Sequence, residues 1–136
     1  LEVPSTEKLV CTALFAIGHN NKHLQVKHLK ALQQFQNSKS KDIRYALTFS
    51  LLGIDHQLAI KILIKLAQDR SQKVKDWATF GLGTQIETDN EEIRNILYKN
   101  CSSKDDQNKQ EAIKGLLNRK DERVKEMIMQ ELKNED

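Results

Sequence analysis

Glycine and proline are scarce, five and one in 136 residues, about a third of their usual share in a globular chain. Sheet-rich folds of this length place these residues at hairpins and edge strands. Their scarcity therefore argues against an all-β architecture and predicts an all-α chain joined by short polar turns. Cysteine is equally rare. Cys11 and Cys101 stand far apart with no metal-type spacing, which predicts two reduced thiols used as small core residues. No apolar run approaches the roughly 18 residues of a membrane span, and Leu1-Glu2-Val3-Pro4 has neither the basic region nor the apolar core of a secretion signal. A soluble, cytoplasmic protein with no membrane association is expected. The chain opens on Leu1 rather than Met, which predicts a processed or trimmed version of something longer.

Hydrophobic residues make up 38% and charged residues 30% of the chain, enough for a continuous but narrow core of the kind an elongated fold has. The net charge of +3 is unevenly spread. Residues 1–68 hold nine Lys/Arg against four Asp/Glu, whereas residues 69–136 hold thirteen against fifteen, so the first half is basic and the second slightly acidic.

Self-similarity organises the chain. The segment Ile43-Arg44-Tyr45-Ala46-Leu47-Thr48-Phe49-Ser50-Leu51 returns 31 residues later as Val74-Lys75-Asp76-Trp77-Ala78-Thr79-Phe80-Gly81-Leu82. The same register recovers Leu9 to Ile17 and Asn108 to Leu116, each displaced by 34 residues. Aligned as columns, the fifth position reads Ala13, Leu47, Ala78, Ala112; the eighth reads Ala16, Ser50, Gly81, Gly115; the ninth reads Ile17, Leu51, Leu82, Leu116. On a helix these positions share one face with the first. Small residues there admit a neighbouring helix while the Leu or Ile fills the groove beside it. A second helix follows each motif, with apolar anchors at Val26, Leu29, Leu32; Ile60, Leu63, Ile64, Ala67; Ile93, Ile96, Leu97; and Val124, Met127, Ile128, Leu132.

Ser5-Thr6-Glu7, Ser71, Asp89-Asn90-Glu91-Glu92 and Asp121-Glu122 mark helix starts, and Gly18, Gly53 and Gly83 mark ends where a left-handed cap suits glycine. The expected helices are 5–18, 22–36, 41–53, 55–69, 71–85, 89–101, 105–118 and 121–134. They pair into units covering 5–36, 41–69, 71–101 and 105–134 of a single domain. Asn108, Lys114 and the terminal Lys133-Asn134-Glu135-Asp136 predict a polar finish at the C-terminal end. The first unit keeps Leu9, Val10, Leu14, Phe15 and Ile17 and predicts an uncovered apolar end suited to a homodimer or to further repeats.

Tetratricopeptide and ankyrin patterns do not run through these columns, and the one proline, Pro4, lies outside them. The opening hydrophobic-basic pair and the closing small-x-x-small-Leu step, clearest in Val74-Lys75-Asp76-Trp77-Ala78-Thr79-Phe80-Gly81-Leu82-Gly83, resemble the short HEAT repeats of bacterial HEAT-repeat-domain proteins, the type first associated with phycobilisome lyases. That resemblance implies a right-handed α-solenoid of four helical hairpins, about eight antiparallel helices, serving as a binding scaffold. It also implies that Arg44, Lys75 and Lys109 meet acids such as Asp69 or Asp105 at the turns between repeats.

Catalytic readings find little footing. Resemblance to iron-dependent deoxyhypusine hydroxylases would require His-Glu pairs, but the four histidines are followed by Asn20, Leu24, Leu29 and Gln57. HEAT-like DNA glycosylases carry an aromatic and acidic cleft, whereas Asp76 and Trp77 occupy consecutive helix positions about 100° apart. No bilin pocket is marked. His19, His23 and His28 lack further ligands apart from Cys11, and no nucleophile elbow or phosphate-cradling loop occurs. No metal, no cofactor and no enzymatic activity are expected.

Second helices carry a basic column, Lys27, Lys61, Arg94 and Lys125, flanked by Lys30, Lys65 and Lys99. Tyr98 lies one turn beyond it, in the column of Ala31, Lys65 and Met129, and is the best aromatic anchor; Tyr45 and Trp77 are others. The stripe suits an acidic protein surface or peptide, with nucleic-acid phosphates as the alternative. A solvated lysine face that only keeps the protein soluble would look the same, and a lyase-like enzyme or enzyme subunit is the least supported alternative.

Overall fold

The computed structural model describes residues 5–134 and contains eight α-helices and no strand among them. These are α1 (Thr6–His19), α2 (Val26–Leu32), α3 (Lys41–Ser50), α4 (Gln57–Leu66), α5 (Gln72–Thr84), α6 (Glu91–Asn100), α7 (Asp106–Asn118) and α8 (Glu122–Asn134). Short 3-10 segments at Asn21–His23 and Gln33–Asn37 flank α2. The odd-numbered helices form a row in which α1 packs on α3, α3 on α5 and α5 on α7, while α4 lies against α5 and α6 against α7.

Most starts use the local chemistry that free helix amides demand. Ser5 Oγ accepts from the Lys8 amide at 3.2 Å, Ser40 Oγ from Ile43 at 3.2 Å, Asn90 Oδ1 from Ile93 at 2.8 Å and Asp105 Oδ2 from Asn108 at 2.9 Å. His56 does the same through Nδ1, accepting from the Leu58 amide at 3.0 Å. Ser71 stands at the start of α5 but makes no capping bond with its side chain; its own amide is instead bound by Asp69 Oδ1 at 2.8 Å.

The expected continuous helix over 22–36 divides into three pieces. Leu29, Leu32 and Phe35 recur at intervals of three, and the first two are buried while Phe35 packs partly against the core. A three-residue repeat keeps one face aligned in 3-10 geometry better than in an α-helix. Of the three expected left-handed glycines, only Gly53 has positive φ, at 81°. Gly18 and Gly83 lie inside helices and permit close approach instead: a Cβ on Gly83 would stand 3.0 Å from the Glu111 carbonyl oxygen, and one on Gly115 only 2.6 Å from the Gly83 Cα.

The shared columns are where the core runs. Leu47, Leu51, Ala78, Leu82, Ala112 and Leu116 are all wholly buried. Truncation of such a leucine to alanine costs about 2–5 kcal/mol through lost burial and the cavity left behind. The first unit differs: Ala13 and Ala16 are exposed, as are Leu9 (54%) and Val26 (45%). Val26 is therefore not the core anchor that Ile60, Ile93 and Val124 are. These positions face the preceding helices in the later units, as Gly81 faces Leu52 and Leu63, and no described helix precedes α1. The polar finish expected at the other end is incomplete, because Leu117, Met129 and Leu132 are exposed and Asn108 is wholly buried. Glu135 and Asp136 of that expected finish lie outside the described residues. No described helix is long and apolar enough to cross a membrane.

Candidate functional site

The basic column divides into free and committed members. Lys27, Lys30, Lys61 and Lys65 are exposed on α2 and α4, neither of which contains an acidic residue. Lys65 reaches the neutral Asn37 side chain, and none of the four makes an ion pair among the described residues. α2 and α4 pack together, so the four lysines are carried on adjoining helices.

Arg94 is committed. Its guanidinium donates to Asp89 at 2.6 and 2.8 Å, to Asp121 at 3.4 Å and to the Arg119 carbonyl at 2.8 Å. It bridges the start of its own helix to the turn before α8, and four of its five N–H donors are engaged within the fold. Lys125 is exposed and pairs with Glu122 at 3.2 Å, one turn away. Tyr98 is 39% exposed, with the Arg123 guanidinium 4.7 Å above its ring. It borders a cavity of about 720 Å³ with Met127 and Met129. The column thus leaves Lys27 and Lys61 open beside the flanking Lys65, binds the fold internally at Arg94, and is partly neutralised at Lys125.

The basic positions on the odd helices behave unequally. Arg44 meets Asp69 as expected, through Nε at 2.8 Å and Nη2 at 3.1 Å, with both side chains nearly buried. Lys109 pairs with Glu131 instead of Asp105, and Lys75 makes no ion pair among the described residues.

Several tertiary contacts carry no spacing signal. Asn21 Nδ2 donates to the Ser50 and Leu52 carbonyls at 3.1 and 2.8 Å. Asp55 accepts from the Thr88 hydroxyl and from the Glu87 and Thr88 amides, the latter two at 3.0 and 3.1 Å; the hydroxyl bond chiefly, and the amide bonds after it, hold its carboxyl below the usual carboxylate range. Arg119 donates to the carbonyls of Leu82, Gly83, Thr88 and Gly115 at 2.7–3.0 Å, with its side chain 5% exposed. Asn100 and Asn108 both donate to Thr79 Oγ1, at 2.9 and 3.0 Å, inside the core.

Asp76 and Trp77, expected to diverge, both line a groove between α5 and α7 together with Phe80 and Glu111. Trp77 and Glu111 share the fourth column of the repeat, and that shared column is the signal that would have placed them side by side. Trp77 also joins an aromatic row, edge-on to Tyr45 at 6.1 Å and to Phe80 at 5.7 Å, which Phe15 and Phe49 continue. Three of the four histidines, His19, His28 and His56, serve local structure. His28 Nδ1 accepts from the Gln25 amide at 2.9 Å and His19 rests edge-on against Phe49. Cys101 is buried, its thiol pushed up to about 11 chiefly by burial and further by Asp121, while Cys11 is half-buried.

No family model matches the chain, and no solved structure matches it. Over 95 residues it is 35% identical to Protein YibA of Escherichia coli strain K12, and equally to the protein of that name from Escherichia coli O157:H7. The alignment covers 70% of this chain but 34% of each relative, so the chain spans about a third of the length of the curated relatives it matches.

Proposed function

We propose that the chain is a non-enzymatic scaffold, a right-handed α-solenoid of four HEAT-type helical hairpins, that binds an acidic protein partner on the face formed by its second helices. A cytoplasmic location belongs to the same reading. The buried columns and the row of odd-numbered helices support the repeat reading. The observation that carries the binding role is that α2 and α4 themselves hold no acidic residue and that Lys27, Lys30, Lys61 and Lys65 on them are exposed and make no ion pair among the described residues. Such a surface raises the local concentration of an anionic partner and speeds its encounter.

Fluorescence anisotropy with a labelled glutamate-rich peptide and, separately, a short DNA duplex tests this at about 50 and 200 mM salt. The peptide is expected to bind at the lower salt and to be lost when Lys61 and Lys65 are both changed to Glu. Duplex binding without peptide binding would make the surface a nucleic-acid site instead. Failure of both at low salt would reduce it to a solvating face and end the proposal.

A further inference from the structure

The groove between α5 and α7 lies on the row of odd-numbered helices, away from the lysine surface. It encloses about 560 Å³. Two of its walls are aromatic, Trp77 and Phe80, set edge to face with ring planes at 84°. Two of its lining groups are carboxylates. Glu111 is only 6% exposed, accepting from Gln107 Nε2 at 3.0 Å, with Lys114 Nζ at 3.7 Å. Asp76 accepts from Gln72 Nε2 at 2.7 Å; burial and the neighbouring Asp105 carboxyl push its proton affinity above the ordinary value.

Acceptors outnumber donors around this groove. Asn108, beside Asp76, is wholly buried and its Oδ1 has no hydrogen-bond partner. Lys73 lines the groove, but its ammonium sits 4.0 Å from the centre of the Tyr45 ring, the next member of the aromatic row. The row thus already holds one cation by a ring face, while in the groove Asp76 makes no ion pair among the described residues and Glu111 meets only the exposed Lys114 ammonium, at 3.7 Å.

We propose that this groove binds the guanidinium of an arginine carried on a peptide segment of a protein partner. A guanidinium is planar and always charged; it stacks on aromatic faces while presenting five donors and no acceptor at its edge. That set complements Trp77 and Phe80 as walls and Glu111 and Asp76 as acceptors. An ammonium has a compact, strongly hydrated charge and no plane to stack, so lysine fits less well.

Trp77 is the chain's single tryptophan and reports the groove directly. Titration with the capped tripeptide Gly-Arg-Gly is expected to give a saturable change in Trp77 emission, with a dissociation constant on the order of millimolar. The capped Gly-Gln-Gly peptide should give none and Gly-Lys-Gly a weaker one. Glu111→Gln should weaken the arginine peptide about tenfold. Asp76→Asn should weaken it too, and this variant removes a carboxylate that the fold disfavours, so loss of folding does not account for a loss of binding. No saturable change, an equal response to the glutamine or lysine peptide, or unchanged binding in folded Asp76→Asn would overturn the proposal. Because Lys61 and Lys65 lie on other helices, the Lys61→Glu, Lys65→Glu double variant should keep this response even if the acidic-partner reading fails.

Discussion

The two halves of the molecule use the same repeat with different charge economies. Between α1 and α4, one described ion pair, Arg44 with Asp69, reaches from α3 to the turn after α4, and the other basic groups face outward. The joint of α1 with α3 is instead filled by Phe15, Phe49 and Tyr45, with two neutral bonds from Asn21 and one from the Ser40 hydroxyl to Glu7 as polar ties. From α5 onward the joints are polar: Thr79 collects two asparagines, Arg119 gathers four carbonyls, and Arg94 and Arg123 converge on Asp121. Basic residues that hold one unit on the next are no longer available to a partner. The comparison teaches that a basic column in a repeat sequence leaves its charges unpaired only where no acid stands within reach.

The largest effect should come from the polar joint. Arg119→Ala removes four bonds from a nearly buried guanidinium and leaves their carbonyls unpaired, so denaturant unfolding should show a loss of about 3 kcal/mol. Asn21→Ala, its counterpart in the first half, removes two neutral bonds and should lose about 1–2 kcal/mol. Equal losses would erase the contrast between the joints.

Glycine substitutions sharpen the same contrast. Gly115→Ala would drive a Cβ to 2.6 Å from the Gly83 backbone, where neither helix can yield without moving its partner. Thermal unfolding should report a loss of about 2 kcal/mol. Gly81→Ala meets only the side chains of Leu52 and Leu63, at 3.0 and 3.3 Å. It should cost under about 1 kcal/mol, because flexible leucines yield and alanine favours the helix.

Acid should weaken the polar joint around Asp121. Hydrogen bonds from Arg123, with the charges of Arg123 and Arg94, hold the Asp121 carboxyl below its ordinary range. Its stabilising contribution is therefore complete above the unfolded value of about 3.9 and is lost as pH falls through the lower folded value. Asp121→Asn should lower the thermal midpoint at neutral pH and flatten its decline in acid. Asp76 has the opposite sign. Its raised value means that stability falls as pH climbs from about 3.9 through the folded value. Asp76→Asn should give the smallest effect, a slight rise in midpoint at pH 7 that vanishes near about pH 3.

Much of this organisation is legible in the residues. The columns through Leu47, Ala78 and Ala112 locate the buried faces because a helix repeats its contacts at fixed intervals, and the Arg44 to Asp69 pair follows from the repeat resemblance. α2 is less legible because Leu29, Leu32 and Phe35 suit two helical periods until tertiary contacts choose between them. Arg119 gives no signal, since it binds backbone carbonyls that every residue possesses, more than thirty positions away for three of the four. Arg94 reads as a ladder member because a column compares equivalent positions only, and so overlooks Asp89 at the start of its own helix and Asp121 in the next unit, which together engage it. The groove at Trp77 is visible only when columns are compared across units for polar and aromatic residues as well as for apolar ones.

Charge reversal in each half tests the central claim most directly. Affinity for the glutamate-rich peptide at about 50 mM salt should fall at least about tenfold in the Lys61→Glu, Lys65→Glu variant. It should change less than about threefold in Lys125→Glu, whose ammonium is already paired with Glu122. Equal losses from the two variants, or a larger loss from Lys125→Glu, would contradict the assignment of the binding surface to α2 and α4.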